Sequence, residues 1–139
     1  MFSVGLSPPV AAAAFAALDL MRREPDRVTR LHENGAYFVE VARRYGLDVG
    51  TSAGLAITPV ILGESLKAAT LSDRLGKRGF NVMPILHPAV PERMARLRFF
   101  VTADHTREQI DAALAVTAEE IGNLTGTAET LALLARSLG

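Results

Sequence analysis

Two arginines on one short predicted strand are the residues of this chain whose types and spacing favour chemistry. Successive strand residues face opposite sides. The segment 96–102 therefore has an apolar side of Leu97, Phe99 and Val101, and a second side with Arg96, Arg98, Phe100 and Thr102. Removing a guanidinium from water is costly unless a negative charge meets it. A ligand anion or a protein carboxylate is therefore expected beside these arginines.

The size and charge of the chain limit its class. Its 139 residues suffice for one domain with a hydrophobic core, and two domains of ordinary size would need more. The 15 basic and 15 acidic side chains cancel, so no net field would draw nucleic acid or an anionic membrane surface. Nucleic acid is therefore not expected as a partner.

Several kinds of reactive site are excluded by residue type. The chain has no cysteine, which removes disulfides, thiolate metal sites and cysteine nucleophiles. Schiff-base chemistry requires a lysine, and only Lys67 and Lys77 are present. The three histidines, His32, His87 and His105, lack metal-ligand spacing, so no metal site is predicted. We expect His105 to cap or pack at a helix start, and the other two to face solvent.

No targeting or membrane segment is predicted. The uncharged run over residues 2–18 contains serines and prolines and lacks a preceding basic region, so it does not resemble a signal peptide. No apolar stretch reaches the roughly 18 to 20 residues that a membrane-spanning helix needs. The cytoplasm is the default compartment.

Helical periodicity predicts most of the chain. Helices are expected over Pro8 to Arg23, residues 26–45, Gly63 to Arg78, and Thr106 to Leu124, with a separate short helix over Thr127 to Leu138. The first is rich in alanine, so it should pack closely between other elements. Thr106 and Gln109 form a capping-box pattern at the start of the fourth helix.

Three short segments read as strands, over residues 56–62, 80–85 and 96–102. Pro59 within the first predicts an edge position or a break in the pairing, because proline cannot donate to a central ladder. Few strands among several helices indicate an α+β fold, a two-layer sandwich in which helices cover one face of a small, mainly antiparallel sheet.

Four ordered stretches resemble motifs of a known family. They are residues 2–8 (FSVGLSP), 57–63 (ITPVILG), 75–80 (LGKRGF), and the decisive group of 88–91 (PAVP), 96–98 (RLR) and 103–106 (ADHT). In this order they are similar to the C-terminal small domain of the α-oxoamine synthases. These are pyridoxal-phosphate enzymes that condense an amino acid with an acyl-CoA and release carbon dioxide. Val4, Gly5 and Ala89 depart from the commoner residues of the family, which leaves the subfamily open.

The resemblance implies site residues and partners. It gives Arg98 the role of binding the carboxylate of the amino-acid substrate, and Ser3 that of a donor to the cofactor phosphate of the neighbouring subunit in a homodimer. Arg96 is expected in a structural ion pair. Phe100 could line the substrate pocket or pack on a neighbouring domain. No catalytic residue is predicted in this chain.

The resemblance also implies a domain arrangement. Residues 1–25 would be a linker and connecting helix, 26–125 an α/β sandwich, and 126–139 a terminal helix. The cofactor lysine of the family belongs to a large domain that is not part of these residues. Pyridoxal 5'-phosphate is thus expected in an intact enzyme, together with an amino acid and an acyl-CoA, and the chain alone should be inactive.

Two alternatives stay open on the sequence. The chain could be the small domain of a pyridoxal-phosphate aminotransferase, which also keeps a carboxylate-binding arginine. It could instead be a stand-alone module that binds a small carboxylate through Arg98, or pairs with a catalytic subunit, without catalysis.

Overall fold

The fold is described here from a computed structural model, which gives the backbone of residues 5–137 and the side chains of residues 5–124. The elements in chain order are α1 (Pro8–Arg23), α2 (Asp26–Arg44), β1 (Ile57–Gly63), α3 (Ser65–Lys77), β2 (Met83–Ile85), β3 (Ala95–Phe100) and α4 (Arg107–Ser137). The strands form one sheet in the order β1-β3-β2, and both pairings are antiparallel. The predicted α+β class with an antiparallel sheet is confirmed.

Both edge strands contain a proline at a position that costs no ladder bond. The amide of Val101 donates to the Ala56 carbonyl at 2.8 Å, and hydrogen-bonded pairs alternate along an antiparallel ladder. Pro59, opposite Arg98, therefore falls at a non-hydrogen-bonded position of β1. Pro84 of β2, opposite Leu97, is also at a non-hydrogen-bonded position, so its nitrogen, which carries no hydrogen, faces away from β3. The edge position predicted for the first strand is confirmed.

The hydrophobic core lies between one face of the sheet and the helices α2, α3 and α4. The predicted apolar side of β3 is buried, with Leu97, Phe99 and Val101 each less than a tenth exposed. The Phe99 ring meets Phe38 of α2 with centroids 5.0 Å apart. The other buried core side chains include Ala42, Leu71, Leu75, Ile110 and Leu114. The helices thus cover one face and leave the other open.

Three expectations about the elements are wrong. No residue of α1 is buried, so this helix does not pack between other described elements; its alanines have the helix propensity to form without such contacts. The second strand begins at Met83 instead of Phe80, because the Phe80 amide donates to the Leu75 carbonyl and caps α3. The separate helix expected over Thr127 to Leu138 is, as far as Ser137, the continuation of α4, and Leu138 lies outside the described residues. A glycine inside a helix costs about 1 kcal/mol and need not end it.

Thr58 gives a prediction about stability. It is fully buried on β1, and its hydroxyl has no hydrogen-bond partner in the part of the chain that the structure describes. A buried, unsatisfied hydroxyl is penalised, so Thr58→Val should raise the free energy of unfolding by about 1 kcal/mol in urea titrations. Thr117→Val is the matched control, because its equally buried hydroxyl donates to the Ala113 carbonyl at 2.7 Å. An equal loss of stability in both variants would contradict the prediction.

Candidate functional site

Arg98 lies at the centre of the open face of the sheet. It occupies the middle strand, opposite Pro59 of β1 and Met83 of β2. Since cross-strand partners point to the same side, the face around Arg98 consists of Ile57, Pro59, Ile61, Met83, Ile85, Arg96 and Phe100. Of these, Ile57, Met83 and Phe100 are each about half exposed. The charge of Arg98 therefore stands in a largely apolar surface that no described helix covers.

The guanidinium of Arg98 has no carboxylate partner among the described residues. Its Nε is buried and makes no hydrogen bond to any residue that the structure describes. Asp104, the acidic neighbour that could have neutralised it, lies 3.7 Å from Arg27 instead. The contact that the structure gives this guanidinium is the ring of Phe100, whose centroid is 4.9 Å from its Cζ. A cation in this setting can take an external anion through charge-assisted hydrogen bonds.

The ion pair expected for Arg96 is not present among the described residues. Its Nε donates to the backbone carbonyl of Met94 at 3.0 Å. Arg96 also borders a shallow groove of about 460 Å³ with apolar walls that include Ile57, Pro59 and Ile61. Arg96 is only partly buried, so water can solvate its guanidinium in place of the expected carboxylate.

A second cleft of about 410 Å³ opens on the other side of Phe100. The residues that line it include Phe38, Phe80, Phe99, Phe100 and His105. Phe100 therefore lies between this cleft and Arg98. Arg98 lines neither this cleft nor the groove beside Arg96.

The histidines have the predicted structural roles. Nδ1 of His105 accepts from the amide of Thr102 at 3.0 Å, which closes the turn between β3 and α4. Because that nitrogen accepts, the neutral ring carries its proton on Nε2. His32 and His87 are exposed, as predicted. No group of three or more histidine and acidic side chains in the described part of the chain could hold a metal ion.

Asn34 is a positioning residue that the sequence did not reveal. Its side-chain amide donates to the carbonyls of Thr102 at 3.0 Å and His105 at 2.8 Å, and so ties the turn after β3 to α2. The capping box at the end of that turn is present: the amide of Thr106 donates to Gln109 Oε1, and the amide of Gln109 donates to Thr106 Oγ1. The strand that carries Arg98 is thus fixed at its carboxyl end.

Tyr37 gives a prediction about the titration of its phenol and its effect on stability. Its hydroxyl donates to both carboxylate oxygens of Asp111, at 2.9 and 3.0 Å. This hydrogen bond first, then burial and the charge of Asp111, raises the pKa of Tyr37 above its ordinary value. A raised pKa favours the neutral phenol in the fold, so this contribution to stability is present below the unfolded pKa of about 10 and is lost as pH rises through the folded pKa.

The measurement uses phenolate absorbance in a Tyr45→Phe background, where Tyr37 is the only remaining tyrosine of the two in the chain. Asp111→Asn should lower the titration midpoint of Tyr37, because the amide retains a hydrogen-bond acceptor but lacks the charge. An unchanged or higher midpoint would show that the carboxylate does not control the phenol.

Ser3 lies outside the described residues, so the structure places neither its side chain nor the phosphate contact expected of it. Lys77 is exposed, and its Nζ lies 2.6 Å from Asp73. Lys67 belongs to α3, in the layer that covers the opposite face of the sheet from Arg98. No helix among the described residues is long and apolar enough to cross a membrane.

The comparisons with known proteins agree with the resemblance. Residues 1–116 match the family "Aminotransferase class I and II". The chain is 46% identical over 119 residues to an 8-amino-7-oxononanoate synthase of Symbiobacterium thermophilum, covering 86% of this chain and 30% of that protein.

Solved structures show the same fold. A serine palmitoyltransferase of Sphingomonas wittichii matches with a TM-score of 0.77 and 29% identity, over 91% of this chain and 32% of that one. An 8-amino-7-oxononanoate synthase of Francisella tularensis matches with a TM-score of 0.73 and 25% identity, over 90% and 36%. The chain spans about 30% of the length of the curated relatives it matches. It belongs to the aminotransferase class I and II family, and within that family to the α-oxoamine synthases, pyridoxal-phosphate enzymes of fold type I.

Proposed function

We propose that this chain acts as the carboxylate-binding small domain of a pyridoxal-phosphate α-oxoamine synthase, which joins an amino acid to an acyl-CoA with loss of carbon dioxide. The observation that carries the proposal is the position of the Arg98 guanidinium. It lies on the open face of the sheet, and none of the described carboxylates pairs with it. An arginine fork on a strand is well suited to bind a carboxylate through two parallel hydrogen bonds.

The apolar surroundings support this role for Arg98. Pro59 and Met83 flank it on the two neighbouring strands. When a second surface covers this face, water is removed and the attraction between guanidinium and carboxylate becomes stronger. The same removal of water would penalise an unpaired arginine. Binding of the substrate anion and closure of the face would therefore favour each other.

The lysines of this chain do not fit the role of holding the cofactor beside Arg98. Lys77 pairs with Asp73 at the exposed end of α3, and Lys67 belongs to the helix layer on the covered side of the sheet. We propose that pyridoxal phosphate is held by residues outside this chain and that this chain alone is inactive. When bound, the cofactor supplies the electron sink of the reaction. The part of this chain is to orient the carboxylate.

The remaining parts of the proposal concern assembly. Residues 1–25, which include α1, are proposed as the linker and connecting helix to a cofactor-binding domain, with residues 26–125 as the sandwich. The bare surface of α1 suits such a connection, because none of its residues is buried by the described chain. A homodimer in which Ser3 donates to the cofactor phosphate of the neighbouring subunit completes the proposal.

The test is a product assay on the full-length enzyme supplied with an amino acid and an acyl-CoA. The proposal expects release of carbon dioxide and of free CoA in equal amounts. The amide of the same amino acid, which lacks the carboxylate, should be inactive. Formation of a keto acid without CoA release would identify an aminotransferase instead, the other activity that the family name suggests. Absence of both reactions would favour a binding module without catalysis.

A further inference from the structure

Phe100 is the residue on the open face whose role the proposed function leaves unexplained. It is two residues after Arg98 on β3 and therefore on the same face. The residue is 52% exposed, which is a high value for a large aromatic residue on the middle strand of a sheet. Burial in the hydrophobic core therefore does not explain why an aromatic residue occupies this position.

The ring of Phe100 lies against the guanidinium of Arg98. The Cζ of Arg98 is 4.9 Å from the ring centroid, inside the range of about 6 Å over which a cation is attracted to an aromatic face. A guanidinium over a ring keeps its N–H edges free for hydrogen bonds in its own plane. The contact therefore restrains the cation without occupying the donors that a carboxylate would use.

The hydrogen bonds of Arg98 make this restraint important. Its buried Nε has no acceptor among the described residues, and no described carboxylate holds the Nη groups. A long side chain without such bonds loses rotamer entropy when it binds a ligand. A contact that limits its rotation before binding reduces that loss, which is the general advantage of preorganisation.

We propose that Phe100 is a positioning residue that holds the guanidinium of Arg98 in the orientation for binding the substrate carboxylate. The inference rests on the proposed function of Arg98. It goes further by assigning the affinity for the amino acid to a pair of residues on β3, and not to the arginine alone. Phe100 itself need not touch the reacting atoms.

The first experiment uses this chain and does not depend on catalysis. NMR spectra of the arginine Nε–H groups are recorded for the native chain, for Phe100→Leu and for Phe100→Tyr, with Arg98→Lys to assign the Arg98 signal. The native chain and Phe100→Tyr should show the ring-current shift of a guanidinium over an aromatic face. Phe100→Leu should lose that shift while unfolding at the same urea concentration as the native chain.

The second experiment measures steady-state kinetics of the full-length enzyme. Phe100→Leu should raise the KM for the amino acid about two- to fivefold, the range that an exposed cation–π contact supports. The KM for the acyl-CoA should not change, and Phe100→Tyr should restore the native value. A residue with only a structural role would lower stability or the turnover number without this selective change.

The outcomes separate the two proposals. Loss of the ring-current shift together with a selective rise in the amino-acid KM supports the positioning role. An unchanged Arg98 signal in Phe100→Leu overturns it, and so does an unchanged KM when Arg98→Ala still impairs the enzyme. If Arg98→Ala itself leaves the amino-acid kinetics intact, the proposed function fails and the positioning role fails with it, whatever the NMR spectra show.

Discussion

Replacing Arg98 with alanine should lower kcat/KM for the amino acid by roughly 30- to 5,000-fold in the full-length enzyme. This range corresponds to about 2 to 5 kcal/mol, the usual cost of removing one partner of a buried, hydrogen-bonded charge pair. The KM should rise and the turnover number should fall, because the carboxylate loses both its binding energy and its orientation. The KM for the acyl-CoA should stay close to native, since Arg98 has no role in holding that substrate.

Arg96→Ala provides the matched control. Arg96 lies on the same strand and face and carries the same charge. Its Nε, however, already donates to the Met94 carbonyl, and it borders a groove that Arg98 does not line. Its loss should change kcat/KM far less. Arg98→Lys should fall between native and Arg98→Ala, because lysine keeps the charge and lacks the fork. Equal effects of the two alanine variants would mean that only net charge matters, and the assignment of Arg98 would be withdrawn.

Local patterns in the sequence predicted much of the fold. The alternation on β3 identified Leu97, Phe99 and Val101 as the buried side, and helical periodicity predicted α3, whose Ala68, Leu71 and Leu75 are buried. Each depends on a period of 2 or 3.6 residues, which the sequence displays directly. Thr106 and Gln109 likewise cap each other across three residues. Patterns of this length are complete within one element.

Contacts between distant segments were not predicted. Asn34 reaches carbonyls 68 and 71 residues away, and nothing beside it in the sequence indicates that partner. The exposure of α1 was also not predicted, because an alanine-rich helix is compatible with both burial and exposure. The site shows the same division. The strand alternation pointed to Arg96 and Arg98 together, and the family resemblance singled out Arg98, whose role stays a prediction. The absence of a carboxylate partner for Arg96 among the described residues depends on side-chain placement that the sequence does not specify.

Replacing Gly35 with alanine should destabilise the fold by about 3 kcal/mol or more, although alanine is the better helix former by about 1 kcal/mol. A Cβ at Gly35 would overlap the carbonyl oxygen of Gly54 and would lie 2.9 Å from that of Leu55. These are backbone atoms, so no side chain can rotate away. Gly54 has a φ of +71° and itself approaches the Gly35 carbonyl, which leaves little room for adjustment on either side.

The measurement is the free energy of unfolding in urea, with Gly122→Ala as the control. Gly122 lies inside α4, and a Cβ there meets nothing within 4 Å. That variant should gain roughly 0.5 to 1 kcal/mol from helix propensity alone. The two glycine-to-alanine changes therefore have opposite expected signs. A neutral or stabilising Gly35→Ala would show that α2 and the turn at Gly54 can separate at little cost.

The position of Gly35 connects this stability to the site. Gly35 packs closely against the turn that leads into β1, while the side chain of its neighbour Asn34 hydrogen-bonds to the turn that leaves β3. These turns adjoin the two strand ends that meet where the Val101 amide donates to Ala56. One point on α2 thus fixes the same end of both strands, and β1 in turn pairs with Arg98 through Pro59. In Gly35→Ala molecules that remain folded, the amide hydrogen of Val101 should consequently exchange with solvent faster than in the native chain. Unchanged exchange at Val101, in a variant that is less stable overall, would place the damage elsewhere in α2.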